Sequence, residues 1–549
     1  MREFFTFSGF ETQQNLWLIA GFLFFLISLF FYIKQKQKWA VSLLTIIGLA
    51  LFVFAAISDP FLNPWDERFH ALVAKNCMGH PFRPMLFKDL PLAEINSNDW
   101  SYTHIWLHKQ PLFLWQIALS FKLFGVSEFT LRLPSVIMAT LMIPMLYRIG
   151  KMLLDEKLGY FAALSVSFSW FLLDLVSGHG LVDHNNVCFA FYVSASIWAW
   201  MEYIRSGRKI GWMAVAAVFS GCAVLTKWLT GLLVYLVWGV YLIATYRFRL
   251  KEWKLWHYAL AVAITAAVFL PWQIYCAKTF PQEWKAEQDY NRLHLTTAVE
   301  KQNHNTLYYI KTLPYRYIGD KYFVQTRDED LIFGGKRSLH LFLIVGGFLL
   351  LLFEIKKNNR RITLLTSVLF VYIFFTIAAT KMPAYTFCAC VAGYLSLGIL
   401  LWKAEQMVQK LIHNKHVKNA ILVPFFVLAA LYQFNFSLYR HFHNDTGNEL
   451  RQSCVHNKAV YLSIKSQLPE KSVVFNVRGN GEGNLHCNTV DATFYTGSTC
   501  FALLPTEQKL KMLKHKGYHI AVLTSHEIPA YMMQDAEVQK IDAGIWGDN

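Results

Sequence analysis

The chain has 549 residues, of which 55% are apolar and only 16% are charged, and its formal net charge is +16. Soluble proteins are about one-quarter charged, so this composition excludes a disordered chain, a collagen-like chain and an ordinary cytosolic enzyme. A mean hydropathy of +0.30 together with excess Lys and Arg is typical of a protein that crosses a membrane many times.

Apolar runs bounded by charge predict the membrane spans, because a bilayer core of about 30 Å needs about 20 apolar helical residues. Twelve runs qualify: 16–33, 40–57, 131–147, 158–176, 187–204, 210–226, 229–246, 256–273, 338–355, 362–380, 384–402 and 419–437. The first run lacks a small-residue cleavage site and leads straight into the second, so we expect no cleavable signal. The predicted fold is all-α and polytopic, with about 12 transmembrane helices.

Cations in short loops predict the orientation. Clusters of three or four cations fall at every second crossing: Lys34, Lys36 and Lys38; Arg148, Lys151 and Lys157; Arg205, Arg208 and Lys209; Arg247, Arg249, Lys251 and Lys254; Lys356, Lys357, Arg360 and Arg361; and Lys403, Lys410, Lys415 and Lys418. The positive-inside rule makes these loops cytoplasmic, which puts both termini and segments 58–130, 274–337 and 438–549 on the opposite face. Clusters this small predict no nucleic-acid partner.

The first long segment, 58–130, begins with a predicted helix over residues 66–74, with Phe69, Leu72 and Val73 on one face. Asp66 and Glu67 occupy its first turn. As an alternative to a catalytic role, they only complement the helix dipole, worth about 0.3–1 kcal/mol each.

A second predicted helix in this segment, 112–124, is roughly 20 Å long and therefore too short to span. We expect it to lie along the membrane surface, so that Lys109 before it and Arg132 after it join Asp66 and Glu67 at the outer interface. Such a mixture of charges suits a substrate with a phosphate head group and an apolar tail. The alternative for Lys109 and Arg132 is snorkelling to lipid head groups.

Later polar residues carry weaker signals. Asp183 and His184 lie at the outer end of a span, where they favour a hydrogen-bonding role behind the site, with metal ligation as the alternative. Lys227 is expected at the outer surface, with a head-group anchor as its alternative. His294 and His304 are ten residues apart, which is not a diagnostic ligand spacing, so we expect surface histidines.

Beyond residue 438 the apolar runs shorten to strand length. Residues 472–477 and 519–524 predict buried strands, and 506–516 predicts a basic helix between them. About 100 residues suffice for a small α/β domain, which we expect to cap the catalytic face from the periplasm. In an oxidising compartment one pair among Cys454, Cys487 and Cys500 can form a disulfide, and the pairing stays open.

Motifs in a fixed order identify a family resemblance. They are Asp66-Glu67, 109–112 (KQPL), 128–135 (EFTLRLPS), 181–185 (LVDHN), 225–227 (LTK), 270–272 (LPW) and 380–385 (TKMPAY). Over roughly residues 40–440 this set resembles the GT-C membrane glycosyltransferases, in particular the bacterial lipid A aminoarabinose transferases, which are related to the protein O-mannosyltransferases. The resemblance makes 40–437 the catalytic domain, 1–39 an additional N-terminal span and 438–549 the periplasmic domain.

The resemblance implies a bacterial inner-membrane enzyme whose donor is a sugar on a polyprenyl phosphate, usually undecaprenyl phosphate. Transfer is expected on the periplasmic face, with inversion at the anomeric carbon. It also implies that Asp66 is the catalytic carboxylate, with Glu67 beside it, and that residues resembling Lys109, Lys381 and Tyr385 lie near the donor phosphate or the acceptor.

The chemistry of the transfer extends this set of site residues. The phosphate leaving group needs fixed cations or a metal, for which Lys109, Arg132 and Lys381 are candidates, and Lys227 is a further candidate substrate contact. A hydroxyl acceptor requires a base, for which Asp66 is the candidate, whereas an ionised phosphate acceptor leaves Asp66 to orient or stabilise. A divalent metal ion as cofactor stays open.

Three departures from the family pattern concern the acceptor more than the reaction. Gln110 stands where relatives have proline, and Phe69 stands where an arginine is expected, with Arg68 displaced by one residue. Segment 306–337 is polar where relatives are often apolar. Lipid A, another envelope glycan and a protein therefore stay open as acceptors.

A flippase or transporter and a non-catalytic scaffold are the alternatives to an enzyme. A flippase or transporter of lipid-linked sugars is expected to carry ionisable groups near the bilayer midplane, often in matching repeats. The motifs here fall in outer segments, and the sequence shows no internal repeat. A non-catalytic scaffold is the third hypothesis.

Overall fold

The computed structural model describes residues 9–92, 100–179, 185–247, 249–299, 304–319, 336–444, 448–479 and 485–546, with the backbone alone at 228, 336–338 and 485–487. The α-helices are α1 Thr12–Ile33, α2 Gln37–Ser58, α3 Asp66–Cys77, α4 Pro111–Phe124, α5 Glu128–Leu153, α6 Glu156–Ser167, α7 Trp170–Ser177, α8 Asn185–Arg205, α9 Ile210–Lys227, α10 Leu233–Tyr246, α11 Leu255–Thr279, α12 Pro281–Thr296, α13 Tyr308–Lys311, α14 Leu313–Ile318, α15 Lys336–Glu354, α16 Asn358–Ile377, α17 Cys390–Leu411, α18 Lys415–Phe434, α19 Phe436–Asn444, α20 Glu449–Gln467, α21 Leu485–Thr496, α22 Glu507–His515 and α23 Ala530–Met533. The strands are β1 Ser472–Phe475, β2 Thr499–Cys500, β3 His519–Leu523 and β4 Val538–Ile541.

Membrane-spanning helices dominate the fold, as predicted. Within the described ranges, ten helices are long and apolar enough to cross a membrane, or eleven if the bent pair α6–α7 is one span. The predicted span 338–355 falls on α15, whose side chains are described only from residue 339, and its apolar stretch Leu339–Glu354 is therefore outside this count.

The predicted span 158–176 is broken into α6 and α7, which meet at 43°. Ser169 has an extended backbone at the break, and its hydroxyl accepts a hydrogen bond from the amide of Leu172 and pairs with the hydroxyl of Tyr394 at 2.8 Å. Both halves are buried, so the bend lies inside the bundle. It directs α7 toward the segment that carries Asp66 and Glu67.

The first long segment folds as predicted around α3 and α4. Asp66 begins α3, most of whose residues are buried, and Pro111 begins α4 in the first-turn position that suits its missing N–H. A short backbone bridge between Met85 and Ile105 closes the connection between the two helices. Both helices therefore lie over one end of the bundle instead of crossing it.

A parallel sheet forms the centre of the C-terminal part, in the order β2-β1-β3-β4. Val473 pairs with Ile520, and Val522 pairs with Lys540. The strands β1 and β3 read as continuous apolar runs because helices cover a parallel sheet on both faces. The predicted strands and the basic helix between them are confirmed, the helix as α22.

The C-terminal part packs directly on α3 and on the start of α5. Arg68 Nε lies 3.3 Å from Asp491 Oδ2, and both side chains are buried. Lys75 donates to the carbonyl of Phe494 at 2.6 Å. Glu128 accepts hydrogen bonds from Lys458 at 2.6 Å and Tyr495 at 2.8 Å. These contacts bring the sheet-containing part against the helix that begins with Asp66.

Candidate functional site

An ion pair between Asp66 and Lys109 marks the start of α3. Lys109 Nζ lies 3.1 Å from Asp66 Oδ2, and the two side chains are 21% and 11% exposed, respectively. Asp66 is in the first turn, where the helix dipole favours a negative charge. Because both groups stay partly accessible, a ligand can reach the carboxylate and the ammonium together.

Arg132 was predicted to bind phosphate, and the structure shows a different use of its side chain. It is fully buried and forms two hydrogen bonds with Glu67, from Nε at 2.7 Å and from Nη2 at 2.8 Å. Its remaining donors bind the carbonyls of Ala56, Asp59 and Phe61. All five N–H donors are engaged within the protein, so Arg132 has no donor directed to a phosphate in this arrangement.

Glu67 is the buried partner of Arg132 and not a second exposed carboxylate. It also accepts a hydrogen bond from the amide of Asn63 at 2.6 Å. Gly178, at the end of α7, approaches so closely that a Cβ there would lie 2.3 Å from Glu67 Oε1. Both carboxylates are largely buried, but the side chain of Asp66 keeps 11% of its surface exposed, whereas that of Glu67 keeps 1%.

Lys227 and Tyr385, which the sequence did not pair, lie in contact. The ammonium of Lys227, the last residue of α9, lies 4.7 Å from the ring centroid of Tyr385 and donates to Asn186 Oδ1. The site thereby gains a cation next to an aromatic ring, an arrangement that stabilises the charge by cation–π attraction.

Lys381 lies on a segment that is attached to the end of α12. Its Nζ donates to the carbonyl of Ala378 at 2.8 Å, just beyond the last turn of α16. The amide of Thr380 donates to the carbonyl of His294 at 3.0 Å. Lys381 is buried, and its observed contact stabilises a helix end.

His294 belongs to the site, whereas the sequence predicted a surface histidine. Burial, together with the charges of His108, Lys109 and Lys227, lowers the pKa of His294 to about 4. The ring of Tyr290 lies 5.0 Å from that of His294. His294 is therefore neutral near pH 7, with Lys109 and Lys227 close enough to oppose its protonation.

His108 and Glu287 complete this group. His108 Nδ1 lies 3.4 Å from Glu287 Oε2, and the His108 ring stacks on Trp100 at 4.4 Å. Sequence reasoning missed both residues. His108 stands directly before Lys109, which was a usable signal, but Glu287 lies in the second long segment and only the fold brings it near.

Some predictions fall outside what the structure describes. Asp183 and His184 lie outside the described residues, and so does the side chain of Cys487. Cys454 and Cys500 are both buried free thiols. A disulfide that involves Cys487 stays a prediction.

Comparisons with known proteins agree with the arrangement of the helices. Residues 108–275 match the family model described as dolichyl-phosphate-mannose-protein mannosyltransferase. A curated relative from Pseudomonas paraeruginosa, named undecaprenyl phosphate-alpha-4-amino-4-deoxy-L-arabinose arabinosyl transferase, is 25% identical over 44% of this chain and 41% of its own length. A protein of the same name from Pseudomonas savastanoi is 24% identical over 35% of this chain and 36% of its own. The matched region thus spans less than half of these relatives.

Solved structures match over far more of the chain. The crystal structure of ArnT from Cupriavidus metallidurans bound to undecaprenyl phosphate has a TM-score of 0.61 at 15% identity, covering 87% of this chain and 88% of that one. The apo oligosaccharyltransferase of Archaeoglobus fulgidus has a TM-score of 0.52 at 14% identity, covering 86% of this chain and 65% of that one. The chain has the GT-C fold, and the resemblance stated from the motifs is confirmed.

Proposed function

We propose that this protein is a glycosyltransferase that moves a sugar from a polyprenyl phosphate, with undecaprenyl phosphate as the carrier, to an acceptor in the periplasm. The observation that carries the proposal is the accessible pair of Asp66 and Lys109, with Lys227 and neutral His294 nearby. The fold shared with an ArnT bound to undecaprenyl phosphate supports the choice of donor.

Lys109 and Lys227 are the proposed partners of the donor phosphate. A phosphate entering beside Lys109 competes with Asp66 for the ammonium, since charge-assisted hydrogen bonds to phosphate are strong. Recruitment of Lys109 leaves the Asp66 carboxylate available to the acceptor. The 3.1 Å ion pair is in this view the resting state of the site.

The proposed transfer exchanges one bond for another at the anomeric carbon. The bond from that carbon to the phosphate oxygen breaks, and its electron pair leaves with the phosphate, where Lys109 and Lys227 stabilise the charge. The acceptor oxygen bonds to the same carbon from the opposite side. Asp66 takes the proton of a hydroxyl acceptor, and for an ionised phosphate acceptor it orients the nucleophile instead.

His108, Glu287 and His294 are proposed to contact the sugar. His294 Nδ1 is buried with no hydrogen-bond partner among the described residues. His108 Nδ1 and Glu287 Oε2 are also buried and form no hydrogen bond there, although they face each other at 3.4 Å. Buried polar atoms of this kind are costly unless a ligand or water satisfies them. The hydroxyl or amino groups of a sugar would supply the missing partners. Lys381 and Tyr385 are proposed to line the site beside these three residues.

The acceptor is proposed to be lipid A or another envelope glycan, and the whole catalytic side, with both termini, to face the periplasm. The family-model match favours a protein as the second candidate acceptor. Mass spectrometry of lipid A, polysaccharide and glycoproteins, from cells with and without the protein, distinguishes the two. A mass increment of one sugar in a single fraction identifies the acceptor.

Substitutions at Asp66 and Lys109 test the reaction. With a hydroxyl acceptor, Asp66→Asn is expected to lower transfer by a factor on the order of 10²–10⁴, the usual contribution of a general base, with membrane insertion unchanged. Lys109→Ala is expected to lower transfer and to weaken binding of undecaprenyl phosphate. Full transfer by both variants would overturn the assignment.

Matched controls come from the same segment. Asp89→Asn and Lys122→Ala change exposed side chains of the same types, and wild-type transfer is expected from both. Proteoliposomes provide the complementary test: flipping of a sugar-linked undecaprenyl phosphate without transfer to any acceptor contradicts the proposal and favours a flippase.

A further inference from the structure

A second polar cluster lies apart from the Asp66–Lys109 pair, where the ends of three helices meet. Asp59 follows α2, Asp174 is on α7, His179 follows α7, and His443 is on α19. Asp59, Asp174 and His443 are almost completely buried, and the side chain of His179 is 18% exposed. None of the motifs pointed to this cluster, and the proposed transfer does not use it.

His443 joins the two carboxylates of the cluster. Its Nδ1 lies 2.8 Å from Asp59 Oδ2, and Asp59 in turn is paired with Arg451 and accepts from Asn63 at 3.2 Å. If the ring of His443 is neutral and Nδ1–H donates to Asp59, the lone pair of Nε2 lies on the other side of the ring. That nitrogen faces Asp174.

The separation between His443 and Asp174 favours a metal ion over a hydrogen bond, whereas His179 is within hydrogen-bond distance of Asp174. His443 Nε2 lies 3.6 Å from Asp174 Oδ1, and His179 Nδ1 lies 3.0 Å from the same oxygen. A distance of 3.6 Å is too long for a hydrogen bond. A tetrahedral ion with bonds of about 2.0–2.2 Å holds its ligands about 3.3–3.6 Å apart.

Two atoms of the cluster also lack partners. Among the residues that the structure describes, His443 Nε2 and Asp174 Oδ2 are buried and have no hydrogen-bond partner. Leaving such groups unsatisfied costs about 1–3 kcal/mol each, and more if charged. An ion between them would satisfy both side chains. The ligand atoms of Asp174, His179 and His443 all lie within 4.8 Å of one another.

We propose that Asp174, His179 and His443 bind one divalent transition-metal ion, with Asp59 orienting the ring of His443. Two imidazoles and one carboxylate suit Zn²⁺ and its neighbours in the first transition row. A carboxylate behind a metal-bound histidine fixes the tautomer and the ring orientation of the ligand. Asp59 is placed for that role.

The ion would fasten α7 and α19 to each other beside the end of α2. Gly178 lies in the chain between the proposed ligands Asp174 and His179, and it packs against Glu67 in the first turn of α3. The ion would therefore hold in place the residues that support the start of α3. The burial of Asp174 and His443 favours a structural ion over one that exchanges substrate. The inference stands independently of the proposed glycosyl transfer.

Metal content of the purified full-length protein tests the site. After dialysis against metal-free buffer and addition of Zn²⁺, inductively coupled plasma mass spectrometry is expected to give about one Zn²⁺ per chain. Removal of the ion by a chelator is expected to lower the unfolding temperature, and Zn²⁺ is expected to restore it. A protein that retains no Zn²⁺ and shows no shift in unfolding temperature overturns the proposal.

Variants locate the ion. His443→Ala and Asp174→Asn are expected to abolish the stoichiometric binding of Zn²⁺. His179→Gln is also expected to abolish stoichiometric binding of Zn²⁺. Because the side chain of His179 is the most exposed of the three ligands, this variant is expected to keep the protein folded. Asp59→Asn is expected to weaken the Zn²⁺ affinity about 10–100-fold, the usual effect of removing a supporting carboxylate.

Controls separate this site from others. His441→Ala removes a histidine from the same helix, and Asp66→Asn removes the carboxylate of the Asp66–Lys109 pair. Both variants are expected to keep the Zn²⁺. Retention of one Zn²⁺ per chain by both His179→Gln and Asp174→Asn shows that the ion binds elsewhere and overturns the proposal.

Discussion

Arg132 and Lys109 flank the same helix, α4, but their side chains differ in burial and in hydrogen-bond partners. Arg132 is fully buried and divides five N–H donors between Glu67 and three carbonyls, whereas Lys109 is partly exposed and forms an ion pair with Asp66. A guanidinium in a closed set of acceptors stabilises the fold, because it has no donor left for a substrate. An ammonium beside one accessible carboxylate can exchange partners.

Replacement of Arg132 tests this distinction. Arg132→Met leaves Glu67 buried without its cation and is expected to destabilise the protein by about 3–5 kcal/mol, the usual cost of breaking a buried pair. Thermal unfolding in detergent measures the loss. The double variant Glu67→Gln with Arg132→Met is expected to recover part of it, because neither charge is left alone. Lys109→Met is expected to cost less than Arg132→Met, because the side chain of Lys109 is 21% exposed and water can partly solvate the carboxylate of Asp66. Equal losses for the two single variants contradict the distinction.

His294 gives the site a defined pH dependence. Its folded pKa of about 4 lies below the value of about 6.5 in an unfolded chain. Between these values the unfolded chain binds the additional proton, so this contribution to the free energy of unfolding is present above about pH 6.5 and is lost as the pH falls toward 4.

His294→Gln is therefore expected to flatten the decline in unfolding temperature between pH 6.5 and pH 4, as measured by unfolding scans across that range. His515→Gln, at a surface helix end, serves as the control and is expected to leave the slope unchanged. An unaltered slope in His294→Gln contradicts the assignment of a depressed pKa to this histidine.

The break between α6 and α7 shows how one helix pair positions two sites. The apolar run 158–176 reads as one span, because periodicity alone does not reveal a break between two apolar segments. Ser169, a good helix cap, was the available signal. The bend places Asp174 in the second cluster and brings Gly178 against Glu67.

Gly178→Ala tests that close approach. Gly178 has φ +75°, and a Cβ at this position would lie 2.3 Å from Glu67 Oε1. Gly207 has φ +74° with no atom within 4 Å of such a Cβ among the described residues. Gly207→Ala is expected to cost only the backbone strain of about 1–2 kcal/mol. Gly178→Ala is expected to cost more in thermal unfolding, since Glu67 must move. Equal costs contradict a packing role for Gly178.

At the scale of the whole molecule, the sequence predicted contacts between residues of the same segment, whereas contacts between residues distant in the chain became visible only in the fold. The pairing of Asp66 with Lys109 was predictable because one segment carries both residues beside its two helices. Glu287 and His294 belong to the second long segment, and Asp59 and His443 are 384 positions apart. No periodicity relates residues so distant, because the packing of helices brings them together.

The C-terminal part is coupled to the site through α3, and Asp491 is the residue to change. Arg68 is two residues from Asp66 on α3, and its guanidinium is buried against Asp491. Asp491→Ala leaves this guanidinium without its carboxylate and is expected to destabilise the contact by about 3–5 kcal/mol. Hydrogen exchange is expected to rise in α3 and α21 together, with weaker binding of undecaprenyl phosphate.

The exposed pair of Glu507 and Lys511 provides the control, since Lys511→Ala is expected to change stability by at most about 0.5 kcal/mol. Increased exchange confined to α21 contradicts the coupling, because α3 then holds Asp66 in place without the C-terminal part.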